Sequence, residues 1–137
     1  MDYSATMHSI SIQATELFQA LSDQTRLRVV RLLGVTREEA CLCELAESLS
    51  VPDYTLSRHV KVLRKVGLLT AEKEGRWVYH RVVHGPESLN ALVAVVVSLP
   101  DPDKRFAQDH ARFVASMTGR TDGRCRGDGA LTKDKTA

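Results

Sequence analysis

Asp53-Tyr54-Thr55-Leu56-Ser57-Arg58-His59-Val60-Lys61-Val62-Leu63-Arg64-Lys65-Val66, followed by Gly67, reads as one helix with two unlike faces. Leu56, Val60 and Leu63 recur at helical spacing and form a stripe for burial, whereas Tyr54, Arg58, Lys61 and Lys65 fall on the opposite side. Gly67 supplies the left-handed position at which helices stop. Ser50-Val51-Pro52-Asp53 reads as a tight turn, because proline disfavours helix in the residue before it and Asp53 is a good cap. Before the turn, Leu42, Leu45, Ala46 and Leu49 form the apolar set of a short helix over Cys41 to Leu49. After Gly67, Leu68 to Ala71 and Trp77 to Val83 read as strands joined by Glu74-Gly75-Arg76, whose glycine suits a hairpin turn. Two helices about a tight turn, then a hairpin, predict a mainly α fold with a β-hairpin wing: a winged helix-turn-helix.

The flanks extend this unit. Residues 1–9 show no periodicity and are expected to be a flexible N-terminus. From Ile10, the residues Ile10, Ala14, Leu17, Phe18 and Leu21 predict a first helix that ends at Ser22-Asp23. Asp23 then caps a second helix, with Leu27, Val30 and Leu33 inward, Arg26, Arg28 and Arg31 outward, and Gly34 as its stop. Pro86, at a favoured first-turn position, starts a fifth helix that is apolar nearly all round from Leu89 to Leu99. A helix of that kind needs cover on several sides, which a small monomer does not offer, so it predicts dimerisation together with the first helix. Pro100 and Pro102 interrupt it. Residues 100–117 hold an additional C-terminal helix from about Asp103, with Phe106, His110, Phe113 and Met117 on one stripe and Asp109 on the surface. Residues 118–137 are rich in Gly, Thr, Asp and Lys and are expected to be disordered. The winged helix-turn-helix with its dimerisation helices thus occupies 10–99.

At 137 residues and 43% hydrophobic content the chain is long enough for one core, and a second copy would help to stabilise it. The net charge of +2 is unevenly spread. Arg58 to Arg81 holds seven basic and two acidic residues, which leaves the remainder at −3. A local basic field in a nearly neutral chain points to a phosphate-facing surface. Nothing resembles a signal peptide, and the run from Leu89 to Leu99 is too short to span a bilayer, so the protein is expected in the cytoplasm, away from membranes. Three cysteines in a reducing compartment read as thiols, with Cys41 and Cys43 too close in sequence to bridge each other easily.

The stretch Cys41-Leu42-Cys43-Glu44-Leu45-Ala46, with Thr55 to Arg64, Gly67-Leu68-Leu69 and the Glu74-Gly75-Arg76 hairpin, strongly resembles the ArsR/SmtB family of metal-sensing repressors. The resemblance covers about Glu16 to Leu99. It implies a homodimeric winged helix-turn-helix repressor that holds double-stranded operator DNA when ion-free and releases it when an effector binds. It further implies that Thr55, Ser57, Arg58 and His59 contact DNA, with Arg58 suited to a bidentate bond to guanine. Lys61 and Lys65 extend the basic face toward phosphates, and Arg76 at the hairpin tip is placed for phosphate or minor-groove contact. Each has a plainer alternative. Lys61 and Lys65 can be a solvated face, His59 a packed, hydrogen-bonded structural histidine, and Arg76 a residue that merely solvates a turn.

Cys41 and Cys43 sit where this family places effector ligands; the plainer alternative is two small core residues. Thiolates select soft ions, with As(III) and Sb(III) among them beside Cd(II), Pb(II), Zn(II) and Cu(I). One arsenic-sensing version of the family has a third cysteine where Ala46 stands here, and the cadmium and lead sensors draw on N-terminal cysteines that residues 1–40 lack. Cys125, between Arg124 and Arg126, is the one remaining thiol. Three thiols favour As(III) or Sb(III), although the basic neighbours of Cys125 equally suit a reactive thiol that binds no ion. Residues two apart in a regular helix point about 200° apart, so ion capture is expected to unwind the start of the third helix. The family's other site, built from Asp and His on the dimerisation helix, is absent in its usual form from Leu89 to Leu99. Competing classes are a cadmium, lead or zinc sensor, an oxidant or persulfide sensor using the same pair, a thiol enzyme, and a metal-independent interaction module. An enzyme is disfavoured, because no nucleotide loop or acid/base pair is present and DNA reading and pairing use up most of the chain.

Overall fold

The computed structural model describes residues 14–120. The expectations for the N-terminal residues, for the tail beyond Arg120 and for Cys125 lie outside that range. The elements are α1 (described over 14–21), α2 (Gln24–Thr36), β1 (Ala40–Cys41), α3 (Leu42–Leu49), α4 (Asp53–Lys65), β2 (Leu69–Glu74), β3 (Trp77–Val82), α5 (Glu87–Val97) and α6 (Arg105–Thr118). Helices α2 to α4 pack around Val29, Val30, Leu33, Leu45, Leu49, Leu56 and Leu63, all of them buried, and α5 and α6 add Val96 and Phe113. The fold is a winged helix-turn-helix, as the sequence predicts.

The local signals hold where neighbours in sequence decide them. The Asp23 carboxylate accepts from the N–H of Arg26 at 3.0 Å and starts α2. Ser50, with φ 55°, makes the left-handed corner between α3 and α4. Pro52 takes the capping position of α4 without a side-chain bond. Asp53 therefore enters the first turn, where its charge suits the helix dipole. Gly67, with φ 87°, turns the chain out of α4 into β2.

Four expectations are corrected. First, α2 does not stop at Gly34 but runs on to Thr36, with Arg37 taking the left-handed position. Gly34 is instead where α2 and α5 approach closely, since a Cβ there would lie 3.0 Å from side-chain atoms of both Val93 and Val97. Second, Arg28 does not face solvent. It is buried and paired with Asp109. Arg31 also turns back, donating to the carbonyl of Leu99 at 2.8 Å and lying over the Phe106 ring. Third, Phe113 and Met117 of α6 face the core as expected, but Asp109 is buried and His110 is exposed, the reverse of the expectation for those two. The buried Arg28 and the partly exposed Arg112 both pair with that carboxylate, which keeps Asp109 on the inner side of the helix. Fourth, Cys41 does not open the third helix, which starts at Leu42. Ala40 and Cys41 add a third strand to the wing, in the order β1-β3-β2, with Ala40 opposite His80 and Cys41 opposite Tyr79.

Candidate nucleic-acid interface and thiol site

Helix α4 presents its polar row outward. Tyr54, Ser57, Arg58, Lys61, Arg64 and Lys65 are exposed, while Leu56, Val60 and Leu63 close the core beneath them. Thr55 is half-buried. The wing stands beside this row, with β2 and β3 in register from Leu69 opposite Val82 to Glu74 opposite Trp77 and only Gly75 and Arg76 in the turn. Gly75 has φ 65°, as such a turn requires. Arg76 is exposed at the tip, its guanidinium 5.5 Å from the centre of the Trp77 ring. Arg81 is offset by Glu72 at 3.3 Å, which leaves the unpaired positive charge concentrated on α4 and the wing tip.

His59 does not share that exposed row. Its Nδ1 lies 3.1 Å from a guanidinium nitrogen of Arg26 and 3.7 Å from the carboxylate of Asp23. An arginine can only donate, so the ring accepts, and His59 fastens α4 to the start of α2. Burial works to raise the Asp23 carboxyl, but the N–H of Arg26, the Arg26 charge and the N–H of Thr25 together hold it below its usual 3.8.

Between α4 and the wing lies a cleft of about 390 Å³ lined by Ser57, Lys61, Arg64, Arg76, Trp77 and His80 among others. Cys41 and Cys43 line it too, so the thiols and the basic surface share one feature of the fold. His80 is only 5% exposed, and its Nδ1 has no hydrogen-bond partner among the described residues. Burial, with the Arg64 charge adding to it, pushes the imidazole down to about 4.

The two thiols meet without any unwinding, contrary to the helical-wheel expectation. Cys41 precedes the helix with extended backbone, φ −83° and ψ 167°, and only Cys43 lies within it. Their sulfurs are 3.1 Å apart. Two thiolates on one soft ion, with bonds of about 2.3 Å, stand roughly 3.3 to 3.8 Å apart, so the pair is nearly set for shared coordination. Cys41 is buried against Tyr79, and Cys43 and Trp77 border them. Among the described residues no three His, Cys, Asp or Glu side chains converge as an ion site.

Sequence reasoning overlooked Glu44 and Arg120. The N–H of Cys41 donates to the Glu44 carboxylate at 3.1 Å, and that carboxylate also receives two bonds from Arg120, at 2.7 and 2.8 Å. The spacing Cys41-x-x-Glu44 is that of a helix-capping box and carried a usable signal for Glu44. Nothing local to Arg120 announces a partner 76 residues away.

A profile described as a helix-turn-helix domain matches residues 21–72. The arsenic resistance transcriptional regulator ArsR1 of Pseudomonas putida is 33% identical over 105 residues, covering 76% of this chain and 79% of that protein. The cadmium resistance transcriptional regulatory protein CadC of Listeria innocua is 36% identical over 63 residues, 46% of this chain and 52% of its own length. Among solved structures, a homodimeric winged helix-turn-helix DNA-binding domain from Mycobacterium bovis, described as a possible ArsR-family transcriptional regulator, is similar with a TM-score of 0.56 at 26% identity. That similarity covers 70% of this chain and 82% of the domain.

Proposed function

Because this chain belongs to the ArsR family of transcriptional regulators, we propose that it is a homodimeric repressor that holds operator DNA when ion-free and releases it on binding trivalent arsenic or antimony through cysteine thiolates. Its relatives are DNA-binding regulators, and like them it is not an enzyme. The observation that carries the effector reading is the 3.1 Å approach of the Cys41 and Cys43 sulfurs at the head of α3. Cys125 supplies the third thiolate in this reading. Two thiolates and a tail thiol satisfy the three bonds of a trivalent ion, whereas a tetrahedral metal would need a fourth ligand such as a histidine or water.

On the DNA side, α4 enters the major groove with Ser57 and Arg58 toward base edges and Thr55, Lys61 and Lys65 toward the backbone, while Arg76 carries the wing onto the adjacent phosphates. His59 acts one step back, holding α4 in place. Ion capture replaces two thiol protons with bonds that fix the spacing of the sulfurs. Cys41 is paired to β3 of the wing and abuts α3, so a change there reaches both DNA-contacting elements. Moving a largely DNA-competent population to a largely released one takes about 5 kcal/mol of differential affinity, which metal–thiolate bonds can supply.

The homodimer reading is favoured by an uncovered apolar face on α1 and α5. Phe18 is 64% exposed and Val95 55%, and with Leu17, Leu89 and Leu92 they line a groove of about 690 Å³. Exposed apolar area of this kind marks an interface. A cadmium, lead or zinc effector is the second reading, supported by the similarity to a cadmium resistance regulator. The same short sulfur distance also suits oxidation of the pair.

The test is titration of a promoter-DNA complex with arsenite, antimonite, cadmium, lead and zinc, for the wild type and for Cys41→Ser, Cys43→Ser and Cys125→Ser. Release by arsenite or antimonite, abolished in all three variants, is the expected result. Release by cadmium alone selects the second reading. A normal response in the Cys41→Ser/Cys43→Ser double variant would falsify the thiol site.

A further inference from the structure

Three arginines hold α3 at both ends: Arg112 of α6, Arg28 of α2, and Arg120, two residues past the end of α6. At the C-terminal end of α3, Arg112 donates to the carbonyl of Ser48 at 2.7 Å, and Arg28 donates to the carbonyl of Leu49 at 2.7 Å. Both guanidiniums also bond to the buried Asp109 of α6. At the N-terminal end, Arg120 forks onto both oxygens of Glu44, donates to the carbonyl of Glu39 at 2.7 Å and lies 5.7 Å from the centre of the Tyr79 ring. The Arg120 and Glu44 side chains are 8% and 4% exposed. Bidentate pairs removed from water in this way hold both position and angle.

Arg120 therefore bears on three sides of Cys41: the residue before β1, the strand partner opposite, and the carboxylate that accepts the Cys41 N–H. We infer that Arg120 is a positioning residue that couples occupancy of the Cys41–Cys43 thiol site to the seat of α3, and through α3 to the DNA-reading helix α4. This rests on the reading that those thiols hold the effector. The mechanics follow from the two anchorages. The carbonyls of Ser48 and Leu49 fix one end of an eight-residue helix about 12 Å long. A displacement of Cys41 toward an ion pulls on Glu44 at the other end. While Arg120 ties Glu44 to α6, the residues around Cys41 cannot absorb that displacement locally, so α3 tilts as a unit about its anchored end. Without the tie, local adjustment of Glu39 to Glu44 takes up the ion's demands and α4 stays in place.

Arg120→Gln, Arg120→Lys and Glu44→Gln are compared with the wild type by three measurements: promoter-DNA affinity with and without sodium arsenite, arsenite affinity from thiolate absorbance, and the iodoacetamide alkylation rate of the Cys41–Cys43 peptide with and without DNA. Arg120→Gln and Glu44→Gln should keep ion-free DNA affinity and arsenite affinity within about threefold. Their arsenite-dependent loss of DNA affinity should shrink at least about tenfold, within the usual range of coupling between sites. Arg120→Lys, which keeps one charge but not the fork, should recover part of it. Because linkage is reciprocal, DNA should change the alkylation rate several-fold in the wild type and leave it unchanged in Arg120→Gln.

Wild-type coupling in both Arg120→Gln and Glu44→Gln overturns the inference. So does a loss of arsenite binding in Arg120→Gln as complete as in Cys41→Ser, since Arg120 would then belong to binding and not to transmission. Should arsenite fail to bind the wild type, the effector reading falls, and the alkylation measurement still decides whether Arg120 links the thiols to DNA. Unfolding of Arg120→Gln in a thermal melt passes the decision to Glu44→Gln, which removes the charge of the pair with little change in volume.

Discussion

A single imidazole sets an acid limit on this fold. His80 is buried, its Nδ1 without a partner among the described residues, and burial, then Arg64, pushes it from 6.5 to about 4. The unfolded chain therefore binds the extra proton between those values. Its contribution to stability is complete above pH 6.5 and is lost as pH falls toward 4. Between pH 7 and pH 5 this one group should lower the unfolding free energy by about 2 kcal/mol, and in His80→Leu that part of the pH dependence should vanish from urea unfolding curves. On the DNA side, Arg58→Ala should cost about 1 to 3 kcal/mol and blur base preference at one position. Lys61→Ala should instead weaken all sequences alike and reduce the salt slope by about 1, as read from binding isotherms over a range of salt.

At the scale of elements, the decisive contact is α6 on α3. Asp109 serves Arg28 and Arg112 together, at 2.8 and 3.0 Å, from a position 1% exposed. Asp109→Ala leaves a buried guanidinium without its partner and should cost about 3 to 5 kcal/mol in chemical denaturation. Arg28→Met added to it should return a large part of that loss, because an apolar side chain of similar length needs no counter-charge. Were the single variant as stable as the wild type, α6 would have no part in seating α3. The wing shows another kind of dependence. The two residues of β1 are a strand only because β3 offers its free edge, and that pairing brings Cys41 to Tyr79.

At the scale of the whole molecule, the uncovered face of α1 and α5 calls for a second copy. Val95→Asp places a charge on that face. It should convert the dimer to monomer in analytical ultracentrifugation, leave the helical circular dichroism intact, and weaken promoter binding by at least about tenfold, since two linked reading heads gain affinity that one lacks. A monomeric wild type would remove the basis of this expectation.

The sequence by itself determined the elements whose signals are local: the two faces of α4, the corner at Ser50 to Pro52, the stop at Gly67 and the hairpin around Gly75. Each depends on backbone preference or on a period of a few residues, so neighbours along the chain suffice. Only the tertiary structure decided which charges are buried. Arg28 and Arg120 look like any surface arginine until Asp109 and Glu44, 81 and 76 residues away in sequence, come within hydrogen-bond distance. The sulfurs of Cys41 and Cys43 meet for a related reason. Pairing with a distant strand holds Cys41 in extended backbone, where the helical wheel that would separate them does not apply.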